Sequence, residues 1–232
     1  MQKTLHALKV FFIPLPLQYN KDENYIYNKV EKQQKEAILA WSLERFRKKG
    51  IRSVTMDEIA SHAGVSKRTL YEQFVDKELL LIECLKYHES LERNALFAYA
   101  ASQERNVLEM ILFSFNQKMS ECCNTSLVFT HDMVRYPKVM NFVNERNRQA
   151  SCEFIEALKI GVEQGLMRDD IRFELFEDFI TTQMRFFYEE SVWKKYKPQE
   201  VFRLILLLWL RGITTEAGST IIDTFLKNEM PA

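Results

Sequence analysis

The stretch from Thr55 to Leu80 constrains the fold of this chain more than any other. It reads as two short helices joined by a tight turn and followed by the start of a third helix. Thr55 and Glu58 have the spacing of a capping box, in which the Thr hydroxyl accepts from the Glu N–H and the Glu side chain reaches back to the Thr N–H. Gly64 stands where the first helix ends in a left-handed turn, and Ser66 is the N-cap that opens the second.

The second short helix, which begins at Lys67, has two different faces. Leu70 and Phe74 stand four residues apart and point together towards a core. Basic and hydroxyl residues fill the rest of its first turn, and Asp76 caps the longer helix that follows. Such a helix, set on a shorter one by a Gly turn, is the helix-turn-helix layout, whose second helix enters the major groove of DNA.

The stretch from Ile38 to Leu80 resembles the DNA-binding domain of the TetR/AcrR family of bacterial transcriptional regulators. The match has no gap, and no motif extends it into the rest of the chain. The matching residues are Ile38, Phe46, Gly50, Thr55, Ile59, Ala60, Ala63, Gly64, Val65, Ser66, Thr69, Leu70, Tyr71, Phe74, Lys77, Glu78 and Leu79. Two positions depart from the family pattern. Arg68 stands where many members have Gly, and Gln73 where many have an aromatic residue that often touches a phosphate.

Seven residues are candidates for contact with DNA. They are Thr55, Ser66, Lys67, Arg68, Thr69, Tyr71 and Lys77. The place of Lys67–Thr69 in the first turn of the second helix favours contacts with base edges or phosphates, and Arg binding guanine is the commonest specific contact there. By resemblance, Thr55, Tyr71 and Lys77 correspond to phosphate-contacting positions of the family, which set register without reading sequence. The alternative is that these residues are only caps and surface residues.

Composition indicates a mostly helical chain. Of its 232 residues 47% are hydrophobic, whereas the helix breakers Gly (6) and Pro (5) are scarce. The formal net charge is zero, but it is unevenly distributed. Between Lys29 and Lys77, eleven Lys and Arg stand against seven Asp and Glu, so a modestly basic module joins an acidic body. This pattern is typical of a DNA reader rather than of a general polyanion binder.

A basic cluster closes the first long helix. Arg45, Arg47, Lys48 and Lys49 directly precede Gly50, which ends the helix. Two roles are open for the cluster. It complements the negative end of the helix dipole on a solvated face, or it faces DNA phosphates.

We expect an all-α fold, with an N-terminal three-helix helix-turn-helix DNA-binding domain and a helical ligand-binding and dimerisation domain after it. Residues 1–28 form an N-terminal extension, which we expect to be poorly ordered rather than functional, residues 29–76 the DNA-binding domain, and residues 77–232 the body. Beyond the helix-turn-helix, apolar spacing and caps predict helices over 28–49, 77–101, 104–122, a short one opened by Thr125 or Ser126, 140–165, 173–193, one opened by Pro198, and 217–227.

The body is rich in aromatic and Met side chains, which suit the walls of an apolar ligand cavity. The candidates are Phe113, Phe115, Met119, Phe129, Met133, Phe142, Phe179, Met184, Phe186, Phe187 and Trp193. Such residues are also the usual filling of any helical core. The existence of a pocket is implied by the family resemblance and not by the spacing of these residues.

The segment Val201–Leu210 is apolar nearly all round, so it is buried on more than one side. It forms either a central core helix of a monomer or part of a dimer interface. The resemblance implies the latter, because in the family the last two long helices of each subunit form an intersubunit four-helix bundle. The helix over 173–193 would be its companion. A homodimer would place two recognition helices on the half-sites of a pseudo-palindromic double-stranded operator, roughly 34 Å apart.

The four cysteines show no metal or disulfide spacing, which favours a reducing cytoplasm. Cys84 and Cys152 are expected in the core, and a redox role for Cys122 or Cys123 stays open. His131, His62 and His88 lack the paired spacing of a zinc site, so no metal and no cofactor is expected. The apolar stretch from Leu5 to Leu17 is too short to cross a membrane, so no membrane partner is expected. No catalytic motif is present, which argues against an enzyme.

These features predict a cytoplasmic, ligand-responsive transcriptional regulator, a repressor that leaves its operator when a small, largely apolar effector binds. The alternative is a helical small-molecule-binding or scaffolding dimer whose helix-turn-helix no longer reads DNA.

Overall fold

The computed structural model describes residues 25–187, 195–197, 200, 204 and 206–229. This part of the chain is helical and contains no β-strand, which confirms the all-α fold. The α-helices are α1 Tyr25–Lys49, α2 Met56–Ala63, α3 Lys67–Gln73, α4 Lys77–Ser102, α5 Val107–Cys123, α6 Leu127–Met133, α7 Pro137–Glu163, α8 Phe173–Phe187, α9 Arg211–Ile213 and α10 Glu216–Glu229. A π-helical turn at Leu206–Leu210 leads into α9. None of the described helices is both long enough and apolar enough to cross a membrane.

The described residues form two compact units. The first unit holds the chain up to Arg93 together with Asn124–Arg146, and the second holds Asn94–Cys123 and the chain from Asn147 onward. The first unit therefore contains the helix-turn-helix of α2 and α3, and also α6 and the first turns of α7. Helices α4 and α7 each contribute to both units.

In the first unit, side chains of α1, α2, α3 and α4 form a hydrophobic core. Leu39, Leu43 and Phe46 of α1 stand at the spacing of one helix face and are at most 4% exposed. Leu70 of α3 and Phe74 directly after it also lie in this core, together with Leu80, Leu81 and Cys84 of α4. The burial of Cys84 confirms the expected core cysteine. Burial raises the pKa of that thiol. Phe129 of α6 and Val139 of α7 also lie in this core.

The second unit has its own core. Its buried residues are Leu96, Val107, Leu108, Met110, Ile111, Leu112, Ala157, Leu158, Leu166, Met167, Phe173, Leu210, Ile213, Ile222 and Leu226. The turn after α7 is held to the segment before α10, because the Thr215 hydroxyl donates to the Gly165 carbonyl at 2.8 Å and Arg168 N donates to Ile213 O at 2.9 Å.

Several predicted helix ends were wrong by a few residues. Helix α1 begins at Tyr25 rather than 28, and α5 begins at Val107 rather than 104. The cause in α5 is a capping box: Asn106 Oδ1 accepts from Glu109 N at 2.9 Å, and Glu109 Oε2 accepts from Asn106 N at 3.1 Å. Helix α7 begins at Pro137 rather than 140, with proline at its first position.

The prediction that Cys152 is a core residue was also wrong, because its side chain is exposed. The inward positions of α7 in this region are taken by Phe154 and Leu158, and Cys152 does not share their face. The predicted helix end at 193 and the predicted helix start at Pro198 fall outside the described residues, as do residues 1–24 of the predicted extension. Its last residues, 25–28, belong to α1.

Candidate nucleic-acid interface

The turn between α2 and α3 has the geometry that its sequence predicts. Thr55 Oγ1 accepts from Glu58 N at 3.1 Å, and Ser66 Oγ accepts from Thr69 N at 3.0 Å, so each helix is capped. Gly64 has φ +65° and ends α2 in the left-handed region. The reverse half of the predicted capping box is not seen among the described residues, because the Glu58 carboxylate faces Lys49 Nζ at 3.5 Å instead.

Helix α3 is anchored by its apolar face. Leu70 is fully buried and Phe74 is 2% exposed. Lys67, Arg68 and Tyr71 are exposed on the other side of the helix. Burying Leu70 and Phe74 contributes roughly 1.5–3 kcal/mol for each side chain. The packing thus fixes which side chains α3 presents outward.

The two cations at the start of α3 are both paired with carboxylates. Lys67 Nζ lies 2.8 Å from Asp57 Oδ1, and this ion pair raises the pKa of the lysine. Arg68 Nε donates to Glu72 Oε1 at 2.9 Å, one helical turn along α3. The Arg68 side chain is 88% exposed and that of Glu72 is 60% exposed, so both stay accessible to a partner.

Candidates from three elements meet around one cleft of about 320 Å³. Its lining residues are Thr55, Met56, Asp57, Lys67, Tyr71, Asp76 and Lys77. The structure thus brings the first residues of α2, α3 and α4 together. Ser66 and Thr69 lie beside them at the N-terminus of α3, where their hydroxyl oxygens are 2.8 Å apart.

Lys77 differs from Lys67 and Arg68 because its ammonium group is partly buried and binds a backbone carbonyl of the first unit. Its Nζ donates to Ile51 O at 3.0 Å, and partial burial lowers its pKa, while the Asp132 carboxylate opposes that shift. The basic cluster at the end of α1 is also partly engaged. Lys48 Nζ lies 2.6 Å from Glu44 Oε1, and the Arg45 guanidinium lies 5.1 Å from the Trp41 ring centre.

Helix α6 packs on the loop between α1 and α2, a contact that sequence reasoning missed. The buried Asp132 carboxylate accepts from Arg52 N at 2.9 Å, and Ser126 N donates to Arg47 O at 2.9 Å. Gly50, with φ +84°, lies so close to α6 that a Cβ there would stand 2.6 Å from Val128 Cγ1. Asp132 and Arg52 are 80 residues apart in the chain, so no local pattern links them.

The ligand-pocket candidates divide between the two cores. Phe129 is buried in the core of the first unit, and Met133 packs against that core. The centre of the Phe142 ring lies 5.9 Å from Lys86 Nζ. In the second unit, Phe113 and Phe115 pack against the core, and Phe179 is 52% exposed. The side chains of Met119, Met184, Phe186 and Phe187, and the whole of Trp193, lie outside the described part.

Comparison with known sequences gives a family match for the helix-turn-helix region. Residues 38–84 match the family model described as bacterial regulatory proteins of the tetR family. Over 195 residues the chain is 26% identical to the HTH-type transcriptional repressor KstR2 of Mycobacterium tuberculosis, covering 77% of this chain and 92% of that protein. A 64-residue segment is 38% identical to the uncharacterized HTH-type regulator YerO of Bacillus subtilis, covering 28% of this chain and 22% of that protein.

Solved structures share the fold. A TetR transcription regulator from Haloarcula marismortui superposes with a TM-score of 0.62 at 16% identity, covering 79% of this chain and all of that one. A putative TetR-family regulator from Rhodococcus has a TM-score of 0.60 at 18% identity, covering 78% of this chain and 98% of that one. The helix-turn-helix geometry and the family match over α2 and α3 agree, and residues 38–84 form a DNA-binding domain of the tetR family of bacterial regulatory proteins.

Proposed function

We propose that this protein is a ligand-responsive repressor that releases its operator when a small, largely apolar effector binds. The observation that carries the proposal is the recognition helix, which is fixed by Leu70 and Phe74 and presents Lys67, Arg68 and Tyr71 outward. The relative from M. tuberculosis, which matches along most of its length, is named a repressor. This supports repression rather than activation.

In the proposed complex, Arg68 reads a base edge, and the cleft around Tyr71 and Thr55 receives the phosphate backbone. Arg68 carries the pair of outer nitrogen donors that suits guanine O6 and N7. The α3 N-terminus, with Ser66, Lys67 and Thr69, lies beside the same cleft and adds phosphate contacts. Lys77 contributes as a cation near the backbone while its hydrogen bond to Ile51 O orders the α1–α2 loop.

The proposed functional form is a homodimer. Leu175 and Phe179 stand one helical turn apart on α8 and are 63% and 52% exposed. Leu204 and Leu208 have the same spacing and are 51% and 62% exposed. Such stripes of exposed large apolar side chains are typical of protein interfaces. A second copy that covers them would set the spacing of two recognition helices.

The effector is proposed to bind in the second unit beside Phe113 and Phe115, which pack against its core without being fully buried. KstR2 of M. tuberculosis is described as a ketosteroid transcriptional regulator, which supports a small, largely apolar effector for this chain. An effector releases DNA only if it binds the released form more tightly than the DNA-bound form, so its affinity must fall when operator is present.

Gel shifts against the DNA upstream of its own gene test the proposal. At moderate salt, a fragment from this region should bind at least about a hundredfold more tightly than random duplex of equal length. Arg68→Ala should lower this preference about tenfold, because the base contact serves only the operator. The lost positive charge should weaken binding to random duplex to a smaller extent.

Equal affinity for every duplex would contradict the proposal and favour a helical scaffolding dimer that no longer reads DNA. Sedimentation of Phe179→Glu and Leu208→Glu tests the dimer separately. Both variants should sediment as monomers and bind operator weakly, whereas a charge at the exposed Leu91 of α4 should leave the mass and the affinity unchanged.

A further inference from the structure

The structure points to a second specificity-determining residue on α3 besides Arg68. We infer that Glu72 is a positioning residue, which holds the guanidinium of Arg68 in the orientation that reads guanine. This inference rests on the proposed function, because it presumes that Arg68 contacts a base. Glu72 is absent from the set of candidates that the sequence indicates, yet it stands one helical turn from Arg68 on the exposed side of the helix.

The hydrogen bond between the two side chains uses one particular edge of the guanidinium. Arg68 Nε donates to Glu72 Oε1 at 2.9 Å, and no hydrogen bond from Nη1 or Nη2 is found to the residues that the structure describes. An Arg that binds guanine through two bonds can do so with its two Nη groups, which donate to O6 and N7. The Glu72 carboxylate therefore binds the Nε of Arg68, which the guanine contact does not need. It leaves the two Nη groups available for guanine.

Orientation matters here because Arg68 is almost fully exposed. A long side chain with 88% of its surface in water samples many rotamers, and it loses that freedom when it binds a base. A partner that already holds Nε lowers this loss, which is the general benefit of a pre-organised binding group. The pair contributes little to the stability of the free protein, so its main effect falls on DNA binding.

The carboxylate also has a cost, because it places a negative charge close to the phosphates. Removing the Glu72 carboxylate should strengthen binding to any duplex and reduce the preference for one sequence over another. The ion pair between Lys67 and Asp57 offers a comparison. Asp57 belongs to α2 and pairs with a lysine, a flexible point charge without a planar fork, so its removal should raise general affinity without changing base preference.

The test is selection from a library of random-sequence duplexes, followed by measured dissociation constants for the selected duplex and its single-base variants. Wild type and four variants are compared: Arg68→Ala, Glu72→Ala, Glu72→Gln and Asp57→Asn. Arg68→Ala identifies the base pair that Arg68 contacts. At that base pair the preference for guanine should fall on the order of tenfold. Glu72→Ala should lose about three- to tenfold at that same position and bind random duplex more tightly.

The Gln variant separates hydrogen bonding from charge. Its amide oxygen can still accept from Nε, so guanine preference should be largely kept although random-duplex affinity rises. In an Arg68→Ala background, Glu72→Ala should change base preference no further. Asp57→Asn should leave every base preference as in wild type.

Four results would overturn the inference. If Glu72→Ala strengthens binding to all duplexes equally and keeps the guanine preference, Glu72 is a source of repulsion only. If it loses preference at a different base pair, or loses it equally when Arg68 is already Ala, Glu72 contacts a base directly. If Arg68→Ala itself changes no preference, there is no contact to position. Failure of wild type to select any sequence is a different outcome, since it contradicts the proposed function itself.

Discussion

The two sides of the first unit are built on opposite principles. On the recognition side, the ion pairs of Arg68 with Glu72 and of Lys67 with Asp57 are open to solvent. On the α6 side, Asp132 is 7% exposed and accepts from a backbone N–H, and Gly50 fits against α6 without room for a side chain. Exposed pairs contribute little to folding and can be exchanged for contacts with a partner. Buried polar contacts cannot be exchanged without loss.

This difference predicts that mutations on the two sides separate folding from DNA reading. Changes on the α6 side should lower the free energy of unfolding, and changes on the recognition side should alter binding in a protein of nearly normal stability.

Gly50→Ala should destabilise the protein by about 3 kcal/mol. The residue has φ +84°, which disfavours any L side chain, and its Cβ would lie 2.6 Å from Val128 Cγ1. Gly64→Ala is the matched control, because φ is +65° and nothing lies within 4 Å of its added Cβ. It should cost only about 1 kcal/mol, the backbone part alone. Chemical denaturation followed by circular dichroism measures both, and equal losses would show that the α6 contact contributes nothing.

Asp132→Ala should cost about 2 kcal/mol, because it leaves the N–H of Arg52 without its acceptor at a part-buried site. Asp132→Asn keeps an amide oxygen that can accept this hydrogen bond and should lose about half as much. The same denaturation experiment measures the two variants. If the Ala variant loses less than about 0.5 kcal/mol, the Asp132 contact stabilises the fold no more than an exposed ion pair does. The proposed difference between the two sides would then be wrong.

Asp76→Ala should cost about 1 kcal/mol at neutral pH, since Asp76 Oδ1 caps α4 by accepting from Leu79 N at 2.7 Å. That hydrogen bond, with Lys138 Nζ 3.0 Å away, lowers the pKa of Asp76 from its ordinary value of 3.8. A lowered folded-state pKa means that the carboxylate stabilises the fold above the unfolded-state pKa and loses this effect as pH falls through the folded-state pKa. The gap between wild type and variant should therefore be constant at neutral pH and shrink below about pH 4. A gap independent of pH down to pH 2 would contradict this.

Glu72→Ala should change the free energy of unfolding by less than about 0.5 kcal/mol, because its pair with Arg68 is an exposed pair within one helix. The same variant should alter DNA selection, because Glu72 holds Arg68 through Nε. Denaturation and binding measured on one preparation compare the two effects directly. A loss of stability comparable to that of Asp132→Ala would show that the recognition surface is part of the folding core.

Local signals in the sequence were sufficient for the helix-turn-helix. The caps at Thr55, Ser66 and Asp76 and the left-handed turn at Gly64 follow from residue types within three or four positions, and the structure confirms them. The pairing of Arg68 with Glu72 also fits their spacing of four along one helix, although it was not among the predicted contacts.

Contacts between distant parts of the chain could not be predicted in this way. Asp132 is an ordinary polar residue of a short helix until the fold brings it to Arg52, 80 residues earlier. For the same reason, residues 124–146 give no local sign that they belong with the first unit. The aromatic and Met candidates likewise share a composition but not a core, since Phe129 packs in the first unit and Phe113 in the second.

We propose that α3 recognises a particular DNA sequence through Arg68, which packing and Glu72 hold in place. An equilibrium competition measures this most directly, with the duplex selected by wild type set against a scrambled duplex of the same composition at two salt concentrations. We expect wild type to prefer the selected duplex on the order of a thousandfold at physiological salt, and Arg68→Ala to prefer it roughly a hundredfold or less. The affinity for both duplexes should fall together as salt rises. A preference of only a few-fold in wild type, or an unchanged preference in Arg68→Ala, would contradict this proposal.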